Sequence, residues 1–225
     1  MEGGQPMKHI LIYGDSNSWG YDVTRYLPEI NAYQRMTEYE RWPGLVRTML
    51  GPDFHVIEDA LNGRTVLQED PYLPNRNGLM GLRIALDANA PLDLIVIQLG
   101  CNELKHMFNL SAGMIARGVE RLVQECEQPL YGYAAPKVLL IAPAPTHPNI
   151  ANLASGYNFG PDAYNKSLEF GRYYRAVAQR HDCGFIDCGT LNFEINEIDG
   201  LHYSKADHAK LAPVVRDRIL ELLDN

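Results

Sequence analysis

The stretch LDLIVIQLG, Leu92 to Gly100, decides how the rest of the chain is read. Its centre, Leu94 to Ile97, is four consecutive apolar residues, two of them isoleucine and one valine. A strand with one face in water alternates apolar and polar residues, whereas an unbroken run belongs to a strand covered on both faces. The run is far shorter than the ~20 residues a membrane-spanning helix requires, and Gly100 ends it. Leu92 to Leu99 therefore predicts a buried central strand.

Working outward, His9 to Tyr13 and Val138 to Ala142 are runs of the same kind. Phe54 to Glu58 is weaker, and Gly184 to Asp187 is short. Segments of helical period lie between them: Trp42 to Leu50, Leu79 to Ala88, Ser111 to about Glu127, and Asp162 to Arg180. Ser111 fits an N-cap. Ser204 opens a C-terminal helix, with Asp207 three residues on as an approximate capping box. Pro213 inside that helix is expected to kink or split it. Buried strands alternating with helices predict the α/β class with a parallel sheet. About five strands cannot close an eight-stranded barrel, so the sheet is open and doubly wound. Tyr21 to Glu40 and Thr146 to Pro161 fit no element, and loops of such length are usually functional or disordered. Residues 1–7 read as a flexible extension and 8–225 as one domain.

The whole chain has 225 residues with a formal net charge of −8, 46% hydrophobic and 21% charged residues, which places it with soluble globular proteins. An acidic balance without a Lys/Arg cluster argues against nucleic acid or an anionic membrane as partner. The N-terminus lacks a basic stretch followed by an apolar core. The four cysteines lack C-x-x-C spacing, which predicts reduced thiols in the cytoplasm.

In an open parallel sheet, ligands sit at the carboxyl ends of the strands. Four segments fall there: GDSNSWG (14–20), LNGRTV (61–66), LGCNEL (99–104) and DGLHYS (199–204). Ser16 follows the first strand in a tight turn; read alone, it is a helix N-cap. Ser18 stands where the G-x-S-x-G elbow requires glycine. Asp199 lies three residues before His202, a spacing that lets the carboxylate orient the imidazole so that its other nitrogen can take a serine proton. Singly, they are a turn residue and a surface histidine. Ser16 N–H, Gly63 N–H and the Asn102 amide would supply oxyanion donors if their loops converge. Each of the latter two is, in isolation, an ordinary loop residue.

Taken together, the four segments resemble the four blocks of the SGNH hydrolases, or GDSL-type esterases, in the same order. The match runs through Gly14-Asp15-Ser16, Gly63, Gly100-Cys101-Asn102, and Asp199 with His202. The resemblance implies a flavodoxin-like fold, Ser16 as nucleophile, His202 as base, Asp199 as its orienting carboxylate, and Gly63 with Asn102 in the oxyanion hole. It is nearest to bacterial arylesterases and acyltransferases, some of which perform perhydrolysis, through GDS-x-x-WG, Arg41-Trp42, VIEDALNGRT, APLDLIVIQLG and YAAPKVLLIAP. Two positions depart from the family: Glu103 replaces the usual aspartate, and Asn17 replaces leucine, with an effect expected at the pocket rim. Trp19 either lines the substrate pocket, as the resemblance implies, or packs beneath the first helix.

The expected activity is hydrolysis of small acyl esters through an acyl-enzyme, without metal or other cofactor. A carbohydrate acetylesterase or lysophospholipase of the same fold is the alternative, and a flavodoxin-like binding module without catalysis is the reading from another class. The segment after the first strand is neither G-x-G-x-x-G nor a P-loop, which leaves a nucleotide unsupported. Cys101 reads as a buried inert thiol, and His106 and His147 lack metal-ligand spacing. A homo-oligomer is expected, with the 146–161 loop at subunit contacts near the pocket mouth; the Tyr-rich stretch around Tyr21, Tyr26, Tyr33 and Tyr39 reads either as a further subunit contact or as a wall of the substrate site.

Overall fold

The structure, a computed structural model, describes residues 7–224, so the expected N-terminal extension lies, apart from Met7, outside the described residues. The chain begins with β1 (Lys8–Gly14), a one-turn helix α1 (Ser16–Trp19) and a hairpin of β2 (Tyr21–Leu27) and β3 (Ala32–Arg35). Helix α2 (Trp42–Leu50), strand β4 (Phe54–Ala60), helix α3 (Gly78–Asn89) and strand β5 (Leu94–Gln98) follow. Next come α4 (Ala112–Cys126), β6 (Lys137–Ala142), the short α5 (Gly156–Phe159), α6 (Ala163–Leu168), α7 (Phe170–Arg180), β7 (Gly184–Asp187) and the long α8 (Lys205–Asp224).

The five long-range strands pair in parallel in the order β4-β1-β5-β6-β7. This is the doubly wound flavodoxin-like order, in which the strand sequence reverses beside β1 and opens a crevice at the carboxyl ends. Alternate residues of each strand enter different cores. Leu11, Tyr13, Ile95, Ile97 and Leu140 pack with α4 and α7, whereas Ile10, Ile12, Val96, Leu139 and Ile141 pack with α2 and α8. That division is why Ile10 to Ile12 and Leu94 to Ile97 are apolar without a break.

Ser111 Oγ caps α4 by accepting the Met114 N–H at 3.3 Å. Ser204 and Asp207 form a reciprocal box, Ser204 N–H to Asp207 Oδ2 at 3.1 Å and Asp207 N–H to Ser204 Oγ at 3.2 Å.

The structure corrects three expectations. Pro213 does not split α8: the carbonyl its missing N–H would have bonded belongs to the exposed Ala209, where water can serve it. Asp162–Arg180 is two helices, because the chain tightens to a bond from Glu169 N–H to Lys166 O at 3.1 Å and then carries Phe170 and Tyr174 into the core. Tyr21–Glu40 contains an antiparallel hairpin whose register shifts between Tyr21 and Tyr26. No helix among the described residues is long and apolar enough to cross a membrane.

Candidate active site

Where β1 ends, the Gly14 position has no room for a side chain. A Cβ on Gly14 would lie 2.2 Å from Ser18 Oγ and 3.3 Å from the Gln98 carbonyl oxygen, and Ser18 Oγ donates to Gln98 Oε1 at 2.7 Å. Asp15, not Ser16, is the N-cap of α1, with Oδ1 accepting the Asn17 N–H at 2.9 Å. Ser16 is consequently the first helical residue, its backbone N–H among those left free at a helix start. Burial pushes the Asp15 carboxyl up to about 6.

Ser16 Oγ lies 2.8 Å from His202 Nε2, although 186 residues separate them. His202 Nδ1 is hydrogen-bonded to Asp199 Oδ2. Asp199 Oδ1 accepts the Leu201 N–H at 2.9 Å, the His202 N–H at 3.2 Å and Asn196 Nδ2 at 3.0 Å. Burial alone would raise the Asp199 carboxyl, but the His202 hydrogen bond and charge, with these N–H donors, hold it down at about 2. The carboxylate is therefore ionised at neutral pH, and both of its oxygens are fixed.

Gly63 follows β4 with φ +77°, a left-handed conformation that glycine adopts without steric cost. Asn102 opens a 3₁₀ turn, Asn102–Leu104, just past β5. Its Nδ2 donates to Arg64 O at 3.0 Å, which leaves one hydrogen of the two-donor amide unused by that bond. Ser16, Gly63, Asn102 and His202 all line one cavity of about 370 Å³. The loops whose convergence the oxyanion reading required do converge.

The sequence profile described as the GDSL-like lipase/acylhydrolase family matches residues 12–210. This chain belongs to the GDSL-like lipase/acylhydrolase family. Among solved structures, the native aryl esterase of M. smegmatis is similar at 32% identity and a TM-score of 0.86, covering 96% of this chain and 100% of that one. Est24, a carbohydrate acetylesterase from Sinorhizobium meliloti, is similar at 32% identity and a TM-score of 0.85, covering 96% and 99%. Among curated protein sequences, none matches the chain.

In this GDSL-like hydrolase two side chains beside the Ser16-His202 pair escape the motifs. The Tyr21 ring stacks on the His202 imidazole, centroids 4.4 Å apart and planes 27° from parallel. It begins β2, and its periodicity gives no hint of that contact. Asn196 binds Asp199 Oδ1 and donates to the His202 carbonyl at 2.7 Å, bracing both ends of the D-x-x-H turn. An asparagine three residues before the aspartate is the one local signal for it.

Trp19 does not line the cavity; its ring lies 6.4 Å from Tyr21 and beneath the Arg35 guanidinium. Asn17 is not at the rim either. It is buried, and its Oδ1 accepts the Tyr203 N–H at 3.0 Å, tying the serine turn to the histidine loop. Burial raises the Cys101 thiol well above its ordinary value, so a thiolate is disfavoured. The 146–161 segment reaches the cavity through Ala154 to Phe159. It is tethered to the Asp199 loop by His147 N–H to Gly200 O at 2.8 Å and Ala154 N–H to Ile198 O at 3.1 Å. Among the described residues, no group of three or more His, Cys, Asp or Glu is arranged to hold a metal ion.

Proposed function

We propose that this family member is a serine esterase that cleaves small acyl esters through an acyl-enzyme. The observation that carries the reading is the Ser16 Oγ to His202 Nε2 contact of 2.8 Å, with Asp199 on the other imidazole nitrogen. In the first step Ser16 Oγ attacks the ester carbonyl carbon while His202 Nε2 takes the hydroxyl proton. The carbonyl oxygen becomes an oxyanion held by Ser16 N–H, Gly63 N–H and the free Asn102 amide hydrogen. As that intermediate collapses, the ester C–O bond breaks and the imidazolium returns the proton to the departing alcohol. Water, deprotonated by His202, then attacks the acyl-Ser16 carbonyl; the bond to Ser16 Oγ breaks, the imidazolium returns the proton to that oxygen, and the carboxylic acid leaves. An alcohol or hydrogen peroxide in place of water gives acyl transfer or perhydrolysis by the same route.

A chromogenic acetate tests the reading directly. The chain should hydrolyse it, Ser16→Ala should not, and mass spectrometry should place an organophosphonate on Ser16 rather than Cys101. A label on Cys101, or full activity in Ser16→Ala, overturns it.

A second reading, a carbohydrate acetylesterase, has one supporting observation. The catalytic cavity shares Leu73, Lys105, Tyr157 and Asn158 with a second cavity of about 620 Å³. Tyr72 and Tyr157 there are more than four-fifths exposed, offering open aromatic faces to a sugar. A panel of acetylated sugars against phenyl acetate separates the two: a higher kcat/KM on the sugars favours the second reading. We carry assembly into a homo-oligomer as a proposal as well, with these exposed tyrosines as its support and light scattering as its test.

A further inference from the structure

Glu103 is the residue at which the third motif departs from its family, and the proposed chemistry does not use it. It is 2% exposed; Oε1 accepts the Val66 N–H, while Oε2 has no hydrogen-bond partner. The residue before it, Asn102, donates to Arg64 O. Two consecutive side chains of one 3₁₀ turn thus grip one loop at residues 64 and 66. Thr65 is held from the other side, its N–H donating to Arg76 O at 2.9 Å. Arg64 N–H closes back on Leu61 O at 3.0 Å, so the backbone leading to Gly63 is fixed once residues 64–66 are fixed.

We infer that Glu103 is a positioning residue: through the Val66 N–H it holds the 61–66 loop so that Gly63 N–H faces the oxyanion. The inference rests on the oxyanion role assigned to Gly63 in the proposed function.

The role requires an acceptor oxygen at glutamate length. Aspartate at this position is shorter by one C–C bond, about 1.5 Å, which takes the acceptor out of hydrogen-bond range of Val66 unless the backbone follows it. A negative charge is not required. Burial pushes the Glu103 carboxyl up to about 8, with Asp15 adding to the rise and the Val66 bond and Lys105 opposing it. The side chain therefore acts at neutral pH chiefly as a neutral acid, for which glutamine is the isostere. A cavity of about 360 Å³, lined by Val66, Leu67, Glu103, Leu110 and Met114, lies on the far side. Water entering there can satisfy Val66 N–H when the carboxyl is removed, which lets shortened variants fold while loosening the loop.

The test compares Glu103→Gln, Glu103→Asp and Glu103→Ala in the full chain, by steady-state kinetics on a chromogenic acetate and by hydrogen exchange at the Val66 amide. Displacing an oxyanion donor by about 1 Å is worth up to about 100-fold in rate. Expected are near-native kcat and Val66 protection for Gln. For Asp and Ala, kcat should fall about 10- to 100-fold with KM little changed, and Val66 exchange should accelerate. Native kcat in Asp, a loss in Gln as large as in Ala, or a loss confined to KM overturns the inference. If Ala does not fold, Gln against Asp decides. Failure of the underlying esterase reading shows separately, as activity that survives Ser16→Ala.

Discussion

The two walls of the candidate catalytic cavity are built differently. One is made of turns at the carboxyl ends of β1, β4 and β5 together with the 199–202 loop before α8, which present Ser16, Gly63, Asn102 and His202; Ser16, Asn102, Asp199 and His202 are buried. The other is made of the β2–β3 hairpin and the 154–159 segment, which present Tyr21, Tyr33 and Tyr157 and are held by loop-to-loop contacts. Buried groups held by several hydrogen bonds can be placed within the few tenths of an ångström that bond-making needs, whereas a peripheral hairpin and loop can vary without disturbing the central sheet. The comparison therefore assigns reaction rate to the first wall and substrate preference to the second.

The sharpest way to break that division is at the nucleophile. Ser16→Ala should lower kcat by at least about 10³-fold, with unchanged folding by circular dichroism, because it removes the atom that the proposed mechanism acylates. Next is Asp199→Asn. Asp199, held at about 2, is an anion that both orients His202 and stabilises its protonated form, so the neutral amide should cost about 10²- to 10⁴-fold in kcat with KM little changed. A comparable loss on replacing Tyr157 by alanine would erase the distinction between the walls.

Legibility in the sequence follows the same line. Leu92–Leu99 announces β5, and Gly14-Asp15-Ser16 and Gly100-Cys101-Asn102 announce two turns of the first wall, because strand burial and a tight turn are local demands on residue type. The stack of Tyr21 on His202 is invisible beforehand, since it joins residues 181 positions apart on a hairpin edge that leaves no apolar period. Trp19 was as plausible a pocket residue as Tyr21 by type; the αL turn at Gly20 directs the chain between them, and only one of the two meets the cavity. The inward placement of Asn17 likewise depends on Tyr203 N–H, which only the folded chain brings near.

The support beneath the first wall has its own pH signature. His208 Nδ1 accepts the Trp42 N–H at 3.1 Å at the start of α2, and burial pushes the imidazole down to about 4. Between pH 6.5 and 4 the unfolded chain binds a proton there that the folded chain refuses, so this residue's contribution to stability falls as pH falls. The gap corresponds to about 3 kcal/mol. Asp15 and Glu103 act in the opposite sense: their raised values favour the fold at low pH, and that contribution is lost as pH rises through about 6 and about 8. The comparison that isolates His208 is urea unfolding of wild type against His208→Gln at pH 7 and pH 4.5. The wild-type advantage should shrink on acidification, and a difference that stays constant refutes the assignment.

The smallest effect falls where the two walls meet. A ring stacked on an imidazole restricts its rotation and favours the imidazolium through the face of its π system. Tyr21→Phe keeps that ring and should retain kcat within about 2-fold. Tyr21→Leu loses the aromatic face while keeping some bulk, and should lower kcat by about 3- to 10-fold, a fraction of the loss at Asp199. Because Tyr21 also lines the cavity, Tyr21→Leu should in addition change the ratio of phenyl acetate to ethyl acetate turnover, which Asp199→Asn should leave alone. A variant that alters only the ratio makes Tyr21 a pure substrate contact. One that alters only kcat makes the stack on His202 its whole contribution, and the boundary between rate and preference then runs along the β2 edge rather than between the hairpin and the sheet.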